Sequence, residues 1–437
     1  MILLAMASLI ISSGHLDAAQ VLFTPELTLS EEYTDNIYLA PENEEEDYIT
    51  TAGVNLTMQV LGRTSGLELN FNPSYSALAN NSDLDYWRYA GRLRLWNDMT
   101  RGTRLELTTD YLETEDPRDA SNDFSPDDPL EGPAIDTDLN RRGRNRYRTI
   151  VSEGRLSNQF GARDRLYLAL RYSQLEDIDT FPGQDVSDYA NWQPSAGVEY
   201  WFVQRWGFAL DGYFSDRDYV DENDRQEYSA NGRLLFALRQ SLTGFAGYRY
   251  TALDYDEETD DDYQIHEPSI GLTYQFEENA RITIGVGYYI QEFDNSDDTE
   301  EGWTVNSEIY KRWNFRSSDL SLTGMSGYAI EDTGTEDLGL NIYYQGGLEA
   351  NHRFTPRLSA GVYGTYRLDE FPNEDPERTD KTLAAGTRLS YQALQWMFIT
   401  LAYNYTDVTS DSQIQEYTEN SVVLTLSLRP AAPYRLN

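Results

Sequence analysis

Arginines and carboxylates recur on one parity of alternating stretches along this chain, and the chemistry open to it depends on which way they point. Arg88, Arg92, Arg94 and Trp96 alternate with Trp87, Tyr89, Gly91, Leu93 and Leu95, and the neighbouring stretch sets Arg104, Glu106, Thr108 and Asp110 on the matching parity. Period two is the spacing of a β-strand, whose successive side chains point to opposite faces. Glu68, Arg171, Glu199, Asp211, Arg233, Arg249, Glu308, Arg312, Glu349 and Arg388 fall on the same polar face, together with Tyr167, Tyr213, Tyr289, Tyr310, Tyr343 and Tyr363. Such a face has two uses. Tyrosines stack on sugar rings while arginines and carboxylates exchange hydrogen bonds with hydroxyls. Alternatively, the two signs of charge pair with each other across strands.

Residues for hydrolysis or metal chemistry do not assemble. The histidines are His15, His266 and His352, too few and too scattered for a catalytic triad or a His-rich metal centre. There is no cysteine, which excludes a disulfide framework, Cys-ligated zinc, iron–sulfur clusters and CxxCH haem attachment. The acidic run Asp254–Asp262 lacks the spacing and turn glycine of an EF-hand. We expect no catalytic residues, no metal site, no cofactor and no enzymatic activity.

The elements that must position the charges follow from the same alternation. Ile282, Ile284, Val286, Tyr288 and Ile290 interleave with Arg281, Thr283, Gly285, Gly287 and Gln291, and Val422, Leu424, Leu426 and Leu428 interleave with Val423, Thr425 and Ser427. Short turns near Leu61–Gly66, Asn97–Gly102, Gly161–Asp164, Val203–Trp206, Gln240–Gly244, Glu277–Ala280, Asn314–Asp319, His352–Pro356 and Leu394–Trp396 alternate with longer connections. The pattern predicts about twenty antiparallel strands, with eighteen as the second choice, in a closed up-and-down transmembrane barrel. An apolar exterior around a polar interior is what closure in lipid demands, because every backbone group is then satisfied. Pro194 and Pro268, in the similar stretches Gln193–Tyr200 and Glu267–Tyr274, sit on the lipid-facing parity, where the ladder is expected to be starting.

Charge follows the same division. Asp and Glu total 74 against 34 Lys and Arg, a net charge of -40, which argues against a nucleic-acid partner. The acids gather in the long connections, Glu42–Asp47, Glu113–Asp128, Asp254–Asp262, Asp294–Glu301 and Asp369–Glu377, whereas Arg63, Arg101, Arg163, Arg205, Arg316 and Arg357 mark the short turns. Short turns belong to the periplasmic side of such barrels and long loops to the exterior. The outer loops would then meet lipopolysaccharide, with divalent cations bridging carboxylates to its phosphates. The longest connection, Thr114–Arg144, passes from acidic to basic; folded inward, its acidic half would pair with Arg88, Arg92 and Arg94. The 33 Tyr, 16 Phe and 8 Trp suit interfacial girdles, and a mean hydropathy of -0.62 is expected when half of each strand faces water.

Met1–Ala19 reads as a secretory signal, with an apolar stretch over Ile2–Ile11 and small residues at Ala18 and Ala19, leaving 20–437 as one barrel domain. The segment Thr28-Leu-Ser-Glu-Glu-Tyr33-Thr-Asp35-Asn36-Ile-Tyr-Leu-Ala-Pro41, followed by Glu46-Asp-Tyr-Ile-Thr50, resembles the opening of the β-barrel porins associated with PEP-CTERM and exopolysaccharide systems. That resemblance implies an outer-membrane channel working beside polysaccharide export machinery, with exopolysaccharide and periplasmic export components as partners. The residues leave other uses open: a general diffusion porin, a scaffold or adhesin, or a sheath around a partner such as a multihaem electron conduit.

Overall fold

The computed structural model describes residues 20–120, 144–178, 188–220, 223–256, 262–277, 280–294, 299–332, 337–374, 376–412 and 416–436. The signal-like Met1–Ala19 and the central part of the longest connection, 121–143, lie outside them, as do parts of the acidic loops following Asp254, Asp294 and Phe371.

Twenty strands form the wall. The first five are β1 (Gln20–Thr34), β2 (Asp47–Leu61), β3 (Ser65–Leu78), β4 (Tyr86–Asp98) and β5 (Thr103–Thr114). There follow β6 (Tyr147–Gln159), β7 (Arg165–Asp177), β8 (Tyr189–Tyr200), β9 (Trp206–Tyr219) and β10 (Arg225–Arg239). The next five are β11 (Leu242–Tyr255), β12 (Tyr263–Glu277), β13 (Ala280–Phe293), β14 (Thr299–Asn314) and β15 (Ser318–Asp332). The wall ends with β16 (Asp337–Thr355), β17 (Leu358–Phe371), β18 (Arg378–Leu394), β19 (Met397–Ser410) and β20 (Tyr417–Leu428). Each strand pairs antiparallel with the next, and β20 returns to β1 in the register Leu27↔Leu428 to Thr34↔Ser421, which closes the barrel. A short β21 (Tyr434–Leu436) extends the pairing of β1 at Val21–Phe23.

Local chemistry fixes the two ends. All nine predicted short turns lie at one end. Two share a hydroxyl device: Thr100 Oγ1 accepts from the backbone N–H groups of Gly102 and Thr103 (3.3 and 3.1 Å), and Thr355 Oγ1 accepts from Arg357 and Leu358 (3.2 and 3.0 Å). Each proline keeps the outward parity expected of it but does not mark the start of the ladder. Pairing already begins at Tyr189 and Tyr263, so Pro194 and Pro268 interrupt ladders under way: the β8–β9 register skips from Trp192 to Ser195, and β12–β13 from His266 to Ser269. The missing N–H removes a rung without ending the strand.

The outward face is apolar and banded. Leu168, Leu210, Leu234, Ile284, Val362 and Leu424 stand exposed on it. At the loop end it carries aromatic pairs such as Tyr75–Trp87, Tyr172–Trp192 and Tyr288–Trp303, with ring centroids 4.5 to 5.2 Å apart. At the turn end Trp206–Phe236 and Tyr274–Phe276 repeat the arrangement at 4.6 and 5.1 Å. Two aromatic belts around an exposed aliphatic band are the interfacial girdles of a barrel in a bilayer.

Candidate functional site: the barrel lumen

The charges on the polar parity of the strands pair differently along the barrel's height. In the wall away from the loop end, cross-strand register sets opposite charges side by side. Arg92 reaches Asp110 and Arg94 reaches Glu106, each at 2.5 Å, and Arg104 contacts Glu106 at 3.0 Å and Asp98 at 3.5 Å. Arg233–Asp211 (3.6 Å) and Arg312–Asp319 (3.5 Å) are looser, and Arg249–Glu267 (3.7 Å) lies under the loop-end packing, with Glu267 buried. Glu199 engages Arg165 (2.7 Å), Glu308 engages Arg281 (3.7 Å), Glu68 accepts from Gln59 (2.8 Å) and Glu349 from Asn351 (2.9 Å). Arg171 and Arg388 form no ion pair among the described residues and are exposed.

The inward aromatics lie flat against glycines. A methyl at Gly197, Gly302 or Gly386 would fall 2.3, 2.7 or 2.4 Å from the rings of Tyr167, Tyr289 and Tyr363, and Gly66 stands in the same way beneath Trp96. The ring covers backbone that glycine leaves bare. Arginine occupies some of the ring faces: Arg155 stacks over Tyr167 at 4.4 Å and Arg367 over Tyr343 at 5.2 Å. Tyr213 donates to Glu227 and Tyr363 to Asn404 (3.1 Å), while Tyr310 is half-buried.

The loop end is packed differently, and here the chain itself fills the lumen. The segment after β5 turns inward through the short helical turn Pro117–Ala120. Arg118 lies against Asp116 (2.6 Å) and reaches across to Glu32 of β1 and Glu419 of β20 (2.9 Å), the two strands that close the barrel. Arg144, at the far stem of the same connection, contacts Asp116 at 3.3 Å. Burial alone would push the Asp116 carboxyl up, but the guanidiniums of Arg118 and Arg144 outweigh it and hold it well below the usual carboxylate range. The expected pairing with the wall arginines occurs at one of three: Asp119 contacts Arg88 at 2.9 Å, whereas Arg92 and Arg94 take wall carboxylates instead. The acids of 121–128 lie outside the described residues.

A second segment enters from the opposite wall. The β14–β15 ladder runs from Asn314↔Asp319 to Ser307↔Ser326 and stops there, although both strands continue. Ser326 marks the separation: its hydroxyl meets Ser307 Oγ (2.8 Å) and donates to the Val305 carbonyl. Beyond it the β15–β16 hairpin leans across the lumen. Tyr328, Ile330, Leu340, Ile342 and Tyr344 pack on inward-facing Leu253, Tyr263, Ile265, Tyr289 and Phe293 of β11–β13. Arg249 stacks on Tyr328 at 4.7 Å, and the Tyr328 hydroxyl lies 3.1 Å from Thr251 Oγ1. At the bend the paired residues are Gly324↔Gly346, and glycine in a strand marks such bends. The sequence signal for this segment was faint: apolar residues on inward parity at Leu253, Ile265 and Tyr289, where a water-filled wall would carry polar ones.

The fold and its lumen define a β-barrel channel of the outer membrane. The sequence matches a family described as Putative beta-barrel porin 2 over residues 18–143 and 211–430, and the chain belongs to that family. Porin families of this kind are channels rather than enzymes. No curated protein matches the sequence. Solved structures with similarity include the siderophore receptor PirA from Acinetobacter baumannii, at 9% identity and a TM-score of 0.49 over 93% of this chain and 80% of that one. OccK2 (OpdF) from Pseudomonas aeruginosa gives 14% identity and a TM-score of 0.38 over 94% and 98%, and OpdQ from the same organism 12% and 0.39 over 93% and 99%.

Proposed function

We propose that this porin is a gated conduit that takes an exported polysaccharide from the periplasm and releases it outside. The observation that carries the reading is the unequal lumen: a hydrated, charged wall toward the turn end, and a loop end filled by two segments of the chain's own backbone. A diffusion porin works with a standing aqueous path, whereas a conduit needs a closed resting state, since a barrel of twenty strands exceeds the 16 to 18 that already hold an aqueous channel. The fillings are loops and a hairpin, elements that can move while the wall stays intact. Gln291, fully buried beside Tyr289 and Phe293, has neither amide oxygen nor nitrogen hydrogen-bonded. Each such group costs about 1–3 kcal/mol, so lifting the β15–β16 hairpin would return part of the energy of opening. The polysaccharide cargo rests on the resemblance of the first strand and loop, and on a wall rich in hydroxyls, amides and charges.

The test is made in cells that lack the chain. Exported polysaccharide should accumulate in the periplasm, with uptake of small solutes unchanged. Normal export together with impaired solute uptake would make the protein a diffusion porin.

A further inference from the structure

At the turn end, a cavity of about 590 Å³ opens between the β14–β15 turn and the inner wall of β15–β20. Its lining includes Arg316, Arg353 and Arg388, all exposed and none in an ion pair among the described residues. One carboxylate, Asp319, shares the cavity, and it is engaged by Arg312 (3.5 Å) and Asn351 (3.2 Å). The opposite wall handles its arginines otherwise: Arg94, Arg104 and Arg165 each hold a carboxylate within 3.0 Å. In a chain with a net charge of -40, three guanidiniums against one carboxylate that is already engaged elsewhere are a local inversion of sign.

Register places the cluster around a gap. Arg353 pairs with Ser359 and Arg388 with Gly361, so β17 contributes only small inward residues between the two arginines. Ser390 and Thr400, whose hydroxyls lie 3.3 Å apart, continue the lining on β18 and β19. Guanidinium groups bind carboxylates through paired hydrogen bonds, hydroxyls both donate to and accept from other hydroxyls, and the volume falls within the range of about 300–1,000 Å³ for small-ligand sites.

We infer that this cavity is a binding subsite for an anionic saccharide, with uronate carboxylates held by Arg353 and Arg388 and ring hydroxyls by Ser390 and Thr400. The inference rests on the conduit reading, which it deepens by naming the cargo as acidic and by placing its first contact at the periplasmic mouth. Sulfated sugars and free anions share part of this chemistry, so the test separates them.

The experiment titrates the full chain in detergent with tetragalacturonate, neutral maltotetraose and sodium sulfate, following heat released. Wild type should bind tetragalacturonate more tightly than maltotetraose or sulfate. R353Q and R388Q should each weaken it about tenfold or more, the loss expected for a charge-assisted hydrogen bond of about 1.5–3 kcal/mol, while leaving maltotetraose unchanged. R388K, which keeps charge but loses the paired geometry, should fall between wild type and R388Q. Heat-modifiable migration on gels verifies that each variant is a folded barrel. Equal affinity of wild type and both glutamine variants for tetragalacturonate overturns the site, as does equal affinity of wild type for the acidic and neutral tetramers. Sulfate binding as tight as the tetramer reduces it to an anion site and overturns the saccharide assignment. If tetragalacturonate binding depends on Arg353 and Arg388 but cells without the chain export polysaccharide normally, the subsite stands and the conduit reading fails. If export requires the chain but binding ignores the arginines, the conduit stands and the subsite fails.

Discussion

The two ends of the lumen use the same ion-pair chemistry in different dielectric settings, and the difference separates what closes the barrel from what lines it. The inner pairs of the loop end are largely buried, with Arg118 17% exposed, Glu419 7%, and Arg367 and Asp369 8% and 5%, while Arg88–Asp119 is intermediate. In the open wall Arg92 and Asp110 are each 36% exposed. A hydrated pair contributes about 0–1 kcal/mol, whereas removing one partner of a dry pair strands a buried charge at about 3–5 kcal/mol. The loop end is thus held shut by contacts costly to break singly, and the wall is lined by contacts that yield to a passing solute.

Arg118→Ala should break this contrast most strongly, because Asp116, Glu32 and Glu419 would lose a shared cation. We expect about 3–5 kcal/mol less stability by denaturant titration and a higher single-channel conductance in planar bilayers. The pH dependence sharpens it. In the native chain Asp116 is held below its unfolded pKa, so its contribution is present above that value and is lost only on falling through the lower folded one. Native stability from this group should therefore not change between neutral and mildly acidic pH. Without Arg118 only Arg144 still opposes burial, so the carboxyl's folded pKa rises and the pH at which its contribution is lost on acidification moves up. An acid limit that does not move would show that Asp116 is not the buried partner.

Leu424→Arg against Thr425→Arg tests the two faces of one strand. Leu424 is 49% exposed on the outward face, and Thr425 lines the turn-end cavity. Arginine near the bilayer midplane costs about 2–4 kcal/mol on the lipid face and little in the lumen, so assembly yield should fall for the first substitution only. Equal yields would reverse the assignment of faces.

Tyr328→Phe keeps the hairpin's packing but removes the hydroxyl beside Thr251. We expect about 1 kcal/mol less stability at the loop end, read as faster hydrogen exchange of β15 beyond Ser326, with β2–β4 unaffected. Uniform acceleration around the barrel would mean the hairpin is part of the wall rather than a separate closing element. The smallest effect belongs to Arg92→Ala, at most about 1 kcal/mol. A loss as large as that of Arg118→Ala would erase the distinction between the two ends.

Much of this architecture was legible in the sequence because it is local. Period-two alternation across Arg88–Trp96 assigns each side chain to a face without reference to any other strand, and the turn spacing sets strand number and the end at which the bases collect. That Arg94, Asp211 and Arg388 share the polar face of their strands follows from parity alone.

Pairing does not. Arg118 meets Glu32 and Glu419 across separations of 86 and 301 residues, and nothing within ten residues of Arg118 encodes that contact. Likewise, the stop at Ser307↔Ser326 arises where the hairpin's apolar face gains more against β11–β13 than its backbone gains from further pairing with β14, a balance between distant surfaces. The same holds at the turn end, where Arg104 is neutralised and Arg388 is not, although both are inward arginines of the same pattern. The sequence by itself determined the wall, its two faces and its charged lining, since these depend on the two-residue repeat of a strand. Only the tertiary structure decided which charges are spent on one another, which stay available, and which end of the lumen the chain fills, because those outcomes depend on register and stagger around a closed ring.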